Sequence, residues 1–274
     1  MTRQIFSVCL VALSLGCQKP APAPESKPAP TAVKTASVKS DDRPPHGEGS
    51  IRGVVQFTGA IPAPRPIDLS SWGKECKPLM TDTNVHDVVV GKNNGLKQAF
   101  VYVRSGLPPT AKYDIPDEPV AVTNKGCWFD PRVTVVRRGQ KFEMRNDDNI
   151  LHSFHSYELS GDQSDNINAK GQIITRTFKD SQVFVVLFCD IHPWMNSHVA
   201  VLDHPFFANT ADDGSFEINK LPEGDYTIEI LHPYLGRKTE SVKLVTGDMS
   251  KEIKVSFGND DLPAPGMRKV LERS

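Results

Sequence analysis

The chain has 274 residues, which is enough for two domains of ordinary size. It carries 32 Lys and Arg against 33 Asp and Glu, and this net charge of −1 gives no indication of a nucleic-acid partner. The 22 prolines and 19 glycines, together with few long helical repeats of apolar residues, indicate many short strands joined by turns. We therefore expect an all-β protein.

The first 17 residues have the features of an export signal. Arg3 gives a positive start, and residues 5–15 form an apolar stretch of about eleven residues, which is too short to span a bilayer. Residues 13–17 resemble a bacterial lipobox, although Ser14 stands where that motif usually has Leu. The resemblance implies a lipid on Cys17, and hence an exported protein held in the periplasm or cell envelope by a membrane anchor. Secretion with a free Cys17 is the alternative.

Residues 18–48 have the composition of a tether. They are rich in Pro, Ala, Lys, Ser and Thr and contain no aromatic residue, so they cannot bury enough apolar area to fold. A Pro-rich chain of this kind is semi-extended, and at about 3 Å per residue it would reach roughly 90 Å. We expect it to hold the folded part away from the membrane.

The folded part is predicted to begin with a β segment over residues 49–117. Residues 50–57 alternate between apolar and polar side chains, and residues 98–103 form a second apolar strand after a glycine-rich turn. Two further strands are predicted over residues 117–143, with a break at Asp130-Pro131 and another before Gly139.

The most informative stretch of the chain follows the apolar strand 183–187. It places a thiol at Cys189, an imidazole three positions later at His192 and a thioether three positions after that at Met195. Thiolate, imidazole and thioether suit copper, and a mononuclear blue-copper site uses two His and one Cys with a long axial Met. His152, in the polar segment 146–155, offers the second imidazole.

These residues resemble the ligand segments of the cupredoxins of the amicyanin and plastocyanin type. The similarity covers about residues 118–203 and includes the strand at 127–135. It implies a cupredoxin-like Greek-key sandwich that holds one type 1 copper and transfers single electrons, without enzymatic activity. The implied ligands are His152, Cys189, His192 and Met195.

The same resemblance implies a redox partner, such as a c-type cytochrome. In these proteins the downstream His lies at the surface in an apolar patch, and Pro193 and Trp194 would form that patch here. One departure is Ser153, which stands where amicyanin and plastocyanin have Asn. It leaves open which hydrogen bonds hold the thiolate loop.

Other interpretations of the same residues are simpler. A Cys after an apolar strand is often a buried core residue, and a neighbouring Met often only packs. A Cys–His hydrolase dyad is disfavoured because no Gly-rich elbow accompanies it. A binuclear copper site would need a second Cys in the loop, where Pro193 stands. His155 is the rival upstream ligand, but its odd spacing from His152 turns it to the other strand face.

Two cysteines remain once Cys9 is placed in the signal and the resemblances have assigned Cys17 and Cys189. Cys76 and Cys127 form an even pair in a protein predicted to be exported, so a disulfide between them is expected. Two buried free thiols are the alternative.

The last third of the chain predicts a second β structure. Alternating strands flank turns at Gly214 and Gly224, and residues 204–258 resemble the carboxypeptidase regulatory-like (transthyretin-like) β-sandwich. Residues 51–55 resemble the opening strand of that module, which places its early strands before the copper domain. The alternative function is a carbohydrate- or surface-binding module in which the copper domain is structural or a copper store. Residues 259–274 are a tail.

Overall fold

The computed structural model describes residues 45–167 and 169–263. The predicted export signal, the lipid site at Cys17, most of the predicted tether and the end of the tail lie outside these residues. In the described part of the chain, no helix has the length and apolar character needed to cross a bilayer.

The described residues form an all-β protein with a single four-residue α-helix and two 3-10 turns, Lys92–Asn94 and Asn259–Asp261. The elements in chain order are β1 (Gly49–Thr58), β2 (Arg65–Pro66), α1 (Leu69–Trp72), β3 (Asn84–Val85), β4 (Phe100–Ser105), β5 (Val120–Asn124), β6 (Phe129–Asp130), β7 (Val133–Arg137), β8 (Lys141–Asn146), β9 (His152–Glu158), β10 (Gly161–Ile167), β11 (Ile173–Thr177), β12 (Gln182–Phe188), β13 (Asn196–Leu202), β14 (Phe207–Asn209), β15 (Ser215–Leu221), β16 (Gly224–His232), β17 (Gly236–Leu244) and β18 (Ser250–Gly258).

Strands β5 to β13 form a sandwich of two sheets, which we call the central sandwich. One sheet has the order β10-β9-β12-β13-β7 and the other the order β11-β8-β5-β6. Alternate residues of a strand point to the same face, so Phe142 and Met144 of β8 both turn inward and meet Phe154 and Leu187 of the facing sheet. Strands β5 and β8 are parallel neighbours, and the chain crosses to the other sheet through β7 between them.

The remaining long strands form a second sandwich, which we call the flanking sandwich. Its sheets have the orders β15-β1-β18 and β14-β4-β16-β17. Its core contains Ile51 and Val55 of β1 together with Phe216, Ile228 and Phe257. The chain thus begins the flanking sandwich with β1 and β4 and then forms the central sandwich. It completes the flanking sandwich with β14 to β18. The resemblance of the flanking sandwich to the transthyretin-like module stays a prediction.

Strand β4 joins the two sandwiches because it is buried on both faces. Val101 and Val103 point into the core of the flanking sandwich. Phe100 and Tyr102 point the other way and pack in a third apolar cluster against Val135 and its neighbours on β7 and β13. A run of four buried residues therefore marks a strand between two cores.

Residues 69–80, which we call the covering segment, lie between β2 and β3 in sequence. Helix α1 starts the segment, and the carboxylate of Asp68 accepts a hydrogen bond from Ser70 N at 2.9 Å to cap it. A disulfide between Cys76 and Cys127 attaches the segment to the central sandwich, as the sequence predicted. Both cysteines are fully buried.

Candidate metal centre

The loop between β12 and β13 is held closed by its own backbone. Cys189 N donates to the carbonyl of Met195 at 3.2 Å, and Met195 N donates to the carbonyl of His192 at 2.9 Å. These bonds place positions 189 and 195 side by side, because the flanking strands pair up to Phe188 and Asn196. Met195 is fully buried.

His152 reaches the same place from the neighbouring strand. It is the first residue of β9, which pairs antiparallel with β12 so that His155 lies opposite Phe188. The start of β9 therefore lies next to the loop that follows β12.

Three side-chain donors converge at this end of the central sandwich. His192 Nδ1 lies 3.5 Å from Cys189 Sγ and 3.2 Å from His152 Nδ1. All three residues are buried, with exposed fractions of 0–2%. Together they form a compact group of one sulfur and two nitrogen atoms that can hold a metal ion.

The spacing of these donors fits a single ion. Metal bonds of about 2.0–2.3 Å to imidazole and thiolate put neighbouring donors roughly 3.3–3.8 Å apart. The sulfur–nitrogen distance of 3.5 Å lies within that range, and the nitrogen–nitrogen distance of 3.2 Å lies just below it. The residues present therefore fit the copper predicted from the sequence.

A carboxylate stands behind each of the two imidazoles. His152 Nε2 lies 3.1 Å from Asp148 Oδ2, and His192 Nε2 lies 3.5 Å from Glu75 Oε1. A carboxylate at the outer nitrogen favours the tautomer that leaves Nδ1 free to bind a metal and fixes the direction of the ring. The contact of His152 is within hydrogen-bond distance and prepares its ring to present Nδ1, whereas Glu75 places a negative charge near His192 Nε2, which has no hydrogen-bond partner among the described residues.

Asp148 is a buried carboxylate with several hydrogen-bond partners. Its carboxylate accepts hydrogen bonds from Gly126 N at 2.7 Å and Cys127 N at 2.8 Å in addition to the His152 contact. Burial alone would raise the pKa of Asp148, but these bonds outweigh burial and hold the pKa below its ordinary value. Cys127 lies near Asp148 and His152, but its sulfur is in the disulfide.

The thiol of Cys189 is prepared to ionise. Burial alone would raise its pKa, but hydrogen bonds from His152, His192 and the backbone N–H groups of Ser153 and Ile191 lower it to about 5. Burial likewise opposes protonation of His152, whose pKa is nonetheless raised by Asp148 and Cys189. A thiolate is therefore available at neutral pH.

Ser153 supplies the bonds that the sequence left open. Its backbone N–H donates to Cys189 Sγ at 3.4 Å. Its hydroxyl oxygen accepts from Asp190 N at 2.7 Å, which ties β9 to the residue after the thiol. Ser153 thus connects strand β9 to the loop through its hydroxyl group, at the position where the sequence analysis noted an Asn side chain in amicyanin and plastocyanin.

His155, the rival upstream ligand, lies outside the donor group. Its ring stacks on Phe188 at 4.4 Å, and its nitrogens contact the carboxylates of Asp190 and Asp162. The alternation of side chains along β9 accounts for this placement.

Trp194 is buried, which departs from the exposed patch expected at this loop. Its exposed fraction is 8%, and its indole N–H donates to the carbonyl of Cys127 at 3.0 Å. The covering segment lies against the ring, since a Cβ added to Gly73 would come within 2.5 Å of it. His192 is fully buried as well, whereas Pro193 remains exposed.

Glu75 and Asp148 are the two residues of the site that sequence reasoning missed. Asp148 precedes His152 by four positions, and this closeness in sequence was the one signal that pointed to it. Glu75 lies 117 positions before His192, and only the neighbouring Cys76, through its predicted bond to Cys127, pointed to this part of the fold.

No protein-family model matches the chain, and no curated protein matches it. Among solved structures, it is similar to a Cu-containing nitrite reductase (NirK) from Thermus scotoductus SA-01, with 23% identity and a TM-score of 0.29. That match covers 37% of this chain and only 26% of the reductase, so the chain spans about a quarter of its length.

Two small proteins are similar over nearly their whole length. A purple cupredoxin from Nitrosopumilus maritimus is 18% identical, with a TM-score of 0.26, and the match covers 30% of this chain and 99% of that one. An oxidized proline-to-glycine mutant of amicyanin is 17% identical, with a TM-score of 0.29, and the match covers 37% of this chain and 98% of that one. These similarities are distant, so the functional argument rests on the donor group itself.

Proposed function

We propose that the protein is an exported electron carrier with one type 1 copper bound by His152, Cys189 and His192, and with Met195 as the axial ligand. The convergence of a thiolate and two imidazole nitrogens in one buried group carries the proposal. Two His and one Cys, with a Met on the same loop, is the donor set of blue-copper centres. The copper would supply a one-electron couple between Cu(I) and Cu(II).

The buried donors favour electron transfer over catalysis on a bound substrate. A catalytic metal keeps an open coordination position, whereas all three donors here have at most 2% of their surface exposed. Asp148 contacts the outer nitrogen of His152 at 3.1 Å, and Ser153 bonds to both Cys189 Sγ and Asp190 N in the thiolate loop. A rigid set of ligands suits electron transfer, because the copper then changes between Cu(I) and Cu(II) with little change in its coordination geometry.

A titration of the metal-free protein with Cu(II) tests this function. We expect an intense thiolate-to-copper band in the visible spectrum that saturates at one copper per chain and bleaches reversibly on one-electron reduction. A copper store would bind the metal without a reversible couple. Absence of the strong band, or saturation at two coppers, would contradict the proposal.

Glu75→Gln is expected to raise the reduction potential of the copper-loaded protein by roughly 50 mV, close to a tenfold change in a one-electron equilibrium. The carboxylate behind His192 favours the more positive Cu(II) state, and its removal favours Cu(I). The side chain is 50% exposed, so screening by water and salt keeps the effect modest. Protein-film voltammetry measures the shift.

Glu217→Gln is the matched control for this shift. Glu217 has 49% of its side chain exposed and pairs with Arg52 on the flanking sandwich, away from the donors. The reduction potential of the Glu217→Gln variant should equal that of the wild type. An unchanged potential in Glu75→Gln, or the same shift in both variants, would remove the role given to Glu75.

We further propose that a lipid on Cys17 anchors the protein to a membrane of the cell envelope. The support is the apolar stretch of signal length that ends at Cys17, with a Pro-rich tether after it. Cys17→Ala should move the protein from the membrane fraction to the soluble fraction. If the variant still sediments with membranes, the anchor is elsewhere.

The proposed partner is a small redox protein such as a c-type cytochrome. Redox encounters use small contact areas, and the exposed Pro193 next to His192 leaves a limited surface near the donors. Stopped-flow mixing of the reduced protein with an oxidised c-type cytochrome measures the exchange. The control oxidant is a small copper complex with a potential similar to that of the cytochrome. If the cytochrome oxidises the reduced protein no faster than this complex does, the proposed partner is contradicted.

A further inference from the structure

A cleft of about 310 Å³ opens where three parts of the fold meet. The β2–β3 ribbon contributes Arg65, the central sandwich contributes Arg132 and Asn196, and the flanking sandwich contributes Pro233 and Tyr234. Its volume lies at the lower end of the range for small-molecule sites, and sites between domains are a frequent location for them. No donor of the metal centre lines this cleft.

Arg132 is a cation in this cleft that forms no ion pair with the described residues. Its Nη2 donates to Asn196 Oδ1 at 3.1 Å and its Nη1 to the carbonyl of His86 at 3.4 Å, and both acceptors are neutral. Its Nε is buried and has no hydrogen-bond partner in the part of the chain that the structure describes. No carboxylate of residues 45–167 or 169–263 lies within ion-pair distance of this guanidinium. Its side chain is partly buried, and a cation without an ion-pair partner is costly where it is removed from water.

The other charged groups named on the cleft wall already have polar partners. Arg65 holds Asp87 with two hydrogen bonds of 2.9 and 3.0 Å, in the forked geometry of an arginine–carboxylate pair. Asp68 accepts from the backbone and hydroxyl of Ser70 at the start of α1. Arg132 thus forms no ion pair with these groups: Asp87 attracts its charge from beyond ion-pair distance, and its guanidinium carbon lies 5.6 Å from the centroid of the Trp128 ring.

The imidazole beside Arg132 does not change this balance. Burial, followed by the charge of Arg132, lowers the pKa of His198 to about 3, so this ring is neutral at physiological pH. The ring therefore gives Arg132 no negative partner, and it adds no second positive charge that could bind an anion in its place.

Much of the remaining cleft wall is apolar. Val133 and Val186 lie on the side of the central sandwich, and Pro193 and Trp194 come from the loop of the metal centre. Pro233 of the flanking sandwich also lines the cleft. A ligand that fits has one anionic group for Arg132 and a small apolar body for these walls.

We propose that this cleft binds a small organic carboxylate, with its carboxylate on Arg132 and its apolar part against the Trp194 and Pro233 side. A carboxylate supplies the anionic partner that the Arg132 guanidinium lacks among the described residues. The Trp194 ring centroid lies 5.3 Å from that of His192, so the bound molecule sits one side chain away from the metal donors.

Isothermal titration of the full chain with benzoate tests the proposal. The titration is done without added metal, so that coordination of benzoate to copper cannot account for the signal and the result is independent of the proposed copper function. We expect saturable binding at one site, and at least tenfold weaker binding of benzamide, which has the same shape without the charge. Acetate tests whether the carboxylate alone suffices.

Arg132→Gln should weaken benzoate binding at least tenfold, because the charged partner is lost. Arg52→Gln is the matched control, since Arg52 is exposed on the flanking sandwich and pairs with Glu217. Its benzoate affinity should equal that of the wild type.

Asn196→Asp keeps the result decisive if Arg132→Gln fails to fold. It keeps Arg132 in place and puts a carboxylate at the position of the oxygen now 3.1 Å from Nη2. This internal anion should displace benzoate and weaken binding to a similar extent. The proposal is overturned if neither benzoate nor acetate binds saturably, if benzamide binds as well as benzoate, or if the folded variants retain wild-type affinity.

Discussion

Cys189→Ser is expected to abolish the intense visible band and to weaken copper binding by orders of magnitude. The thiol has a pKa of about 5 and is therefore ionised at neutral pH, whereas a serine hydroxyl stays protonated and is a hard ligand. The bonds that close the loop, Cys189 N to the carbonyl of Met195 and Met195 N to the carbonyl of His192, do not involve the sulfur, so the fold should remain. Visible absorption and competition with a copper chelator measure the two losses.

The histidines of β9 provide the internal control for that result. His152→Ala removes one of the three donors and should also abolish the band. His155→Ala removes a ring three positions away that faces Asp190 and Asp162, so its copper spectrum should match the wild type. A band that survives in Cys189→Ser, or that disappears in His155→Ala alone, would show that the ligands are assigned wrongly.

The donor loop was predictable because its residues are local in sequence. Cys189, His192 and Met195 follow one another at spacings of three after an apolar strand, and a short loop can only bring them together. The partner His152 was found through the resemblance and the face it occupies on β9. The disulfide was predicted by accounting for the cysteines, and the structure confirms it.

The surroundings of the donors could not be read from the sequence. The carboxylate of Glu75 reaches His192 only because the covering segment is attached to Cys127, a contact between residues far apart along the chain. The burial of Trp194 has the same origin. Likewise, the parallel pairing of β1 with β18 joins strands about two hundred residues apart, and no local pattern specifies such a register.

Replacing both Cys76 and Cys127 by serine is expected to lower the free energy of unfolding by about 4 kcal/mol. The estimate comes from the chain-entropy model, applied to two cysteines 51 positions apart in sequence. Backbone atoms of Cys127, which bond to Asp148 and Trp194, are unaffected by the change. Urea unfolding followed by fluorescence measures the loss, and a change below about 1 kcal/mol would contradict it.

The same double variant should also speed electron exchange with small inorganic oxidants. Without the disulfide, the covering segment is held mainly by partly buried apolar residues such as Leu69 and Leu79, and it would open more often over His192. The matched control is Phe257→Ala, a fully buried position in the flanking sandwich whose truncation costs about 3–5 kcal/mol. It destabilises the protein to a similar extent without touching the covering segment. Faster exchange only in the disulfide variant, measured by stopped-flow at matched potentials, would establish that this segment shields the metal centre, whereas equal rates in all three proteins would exclude it.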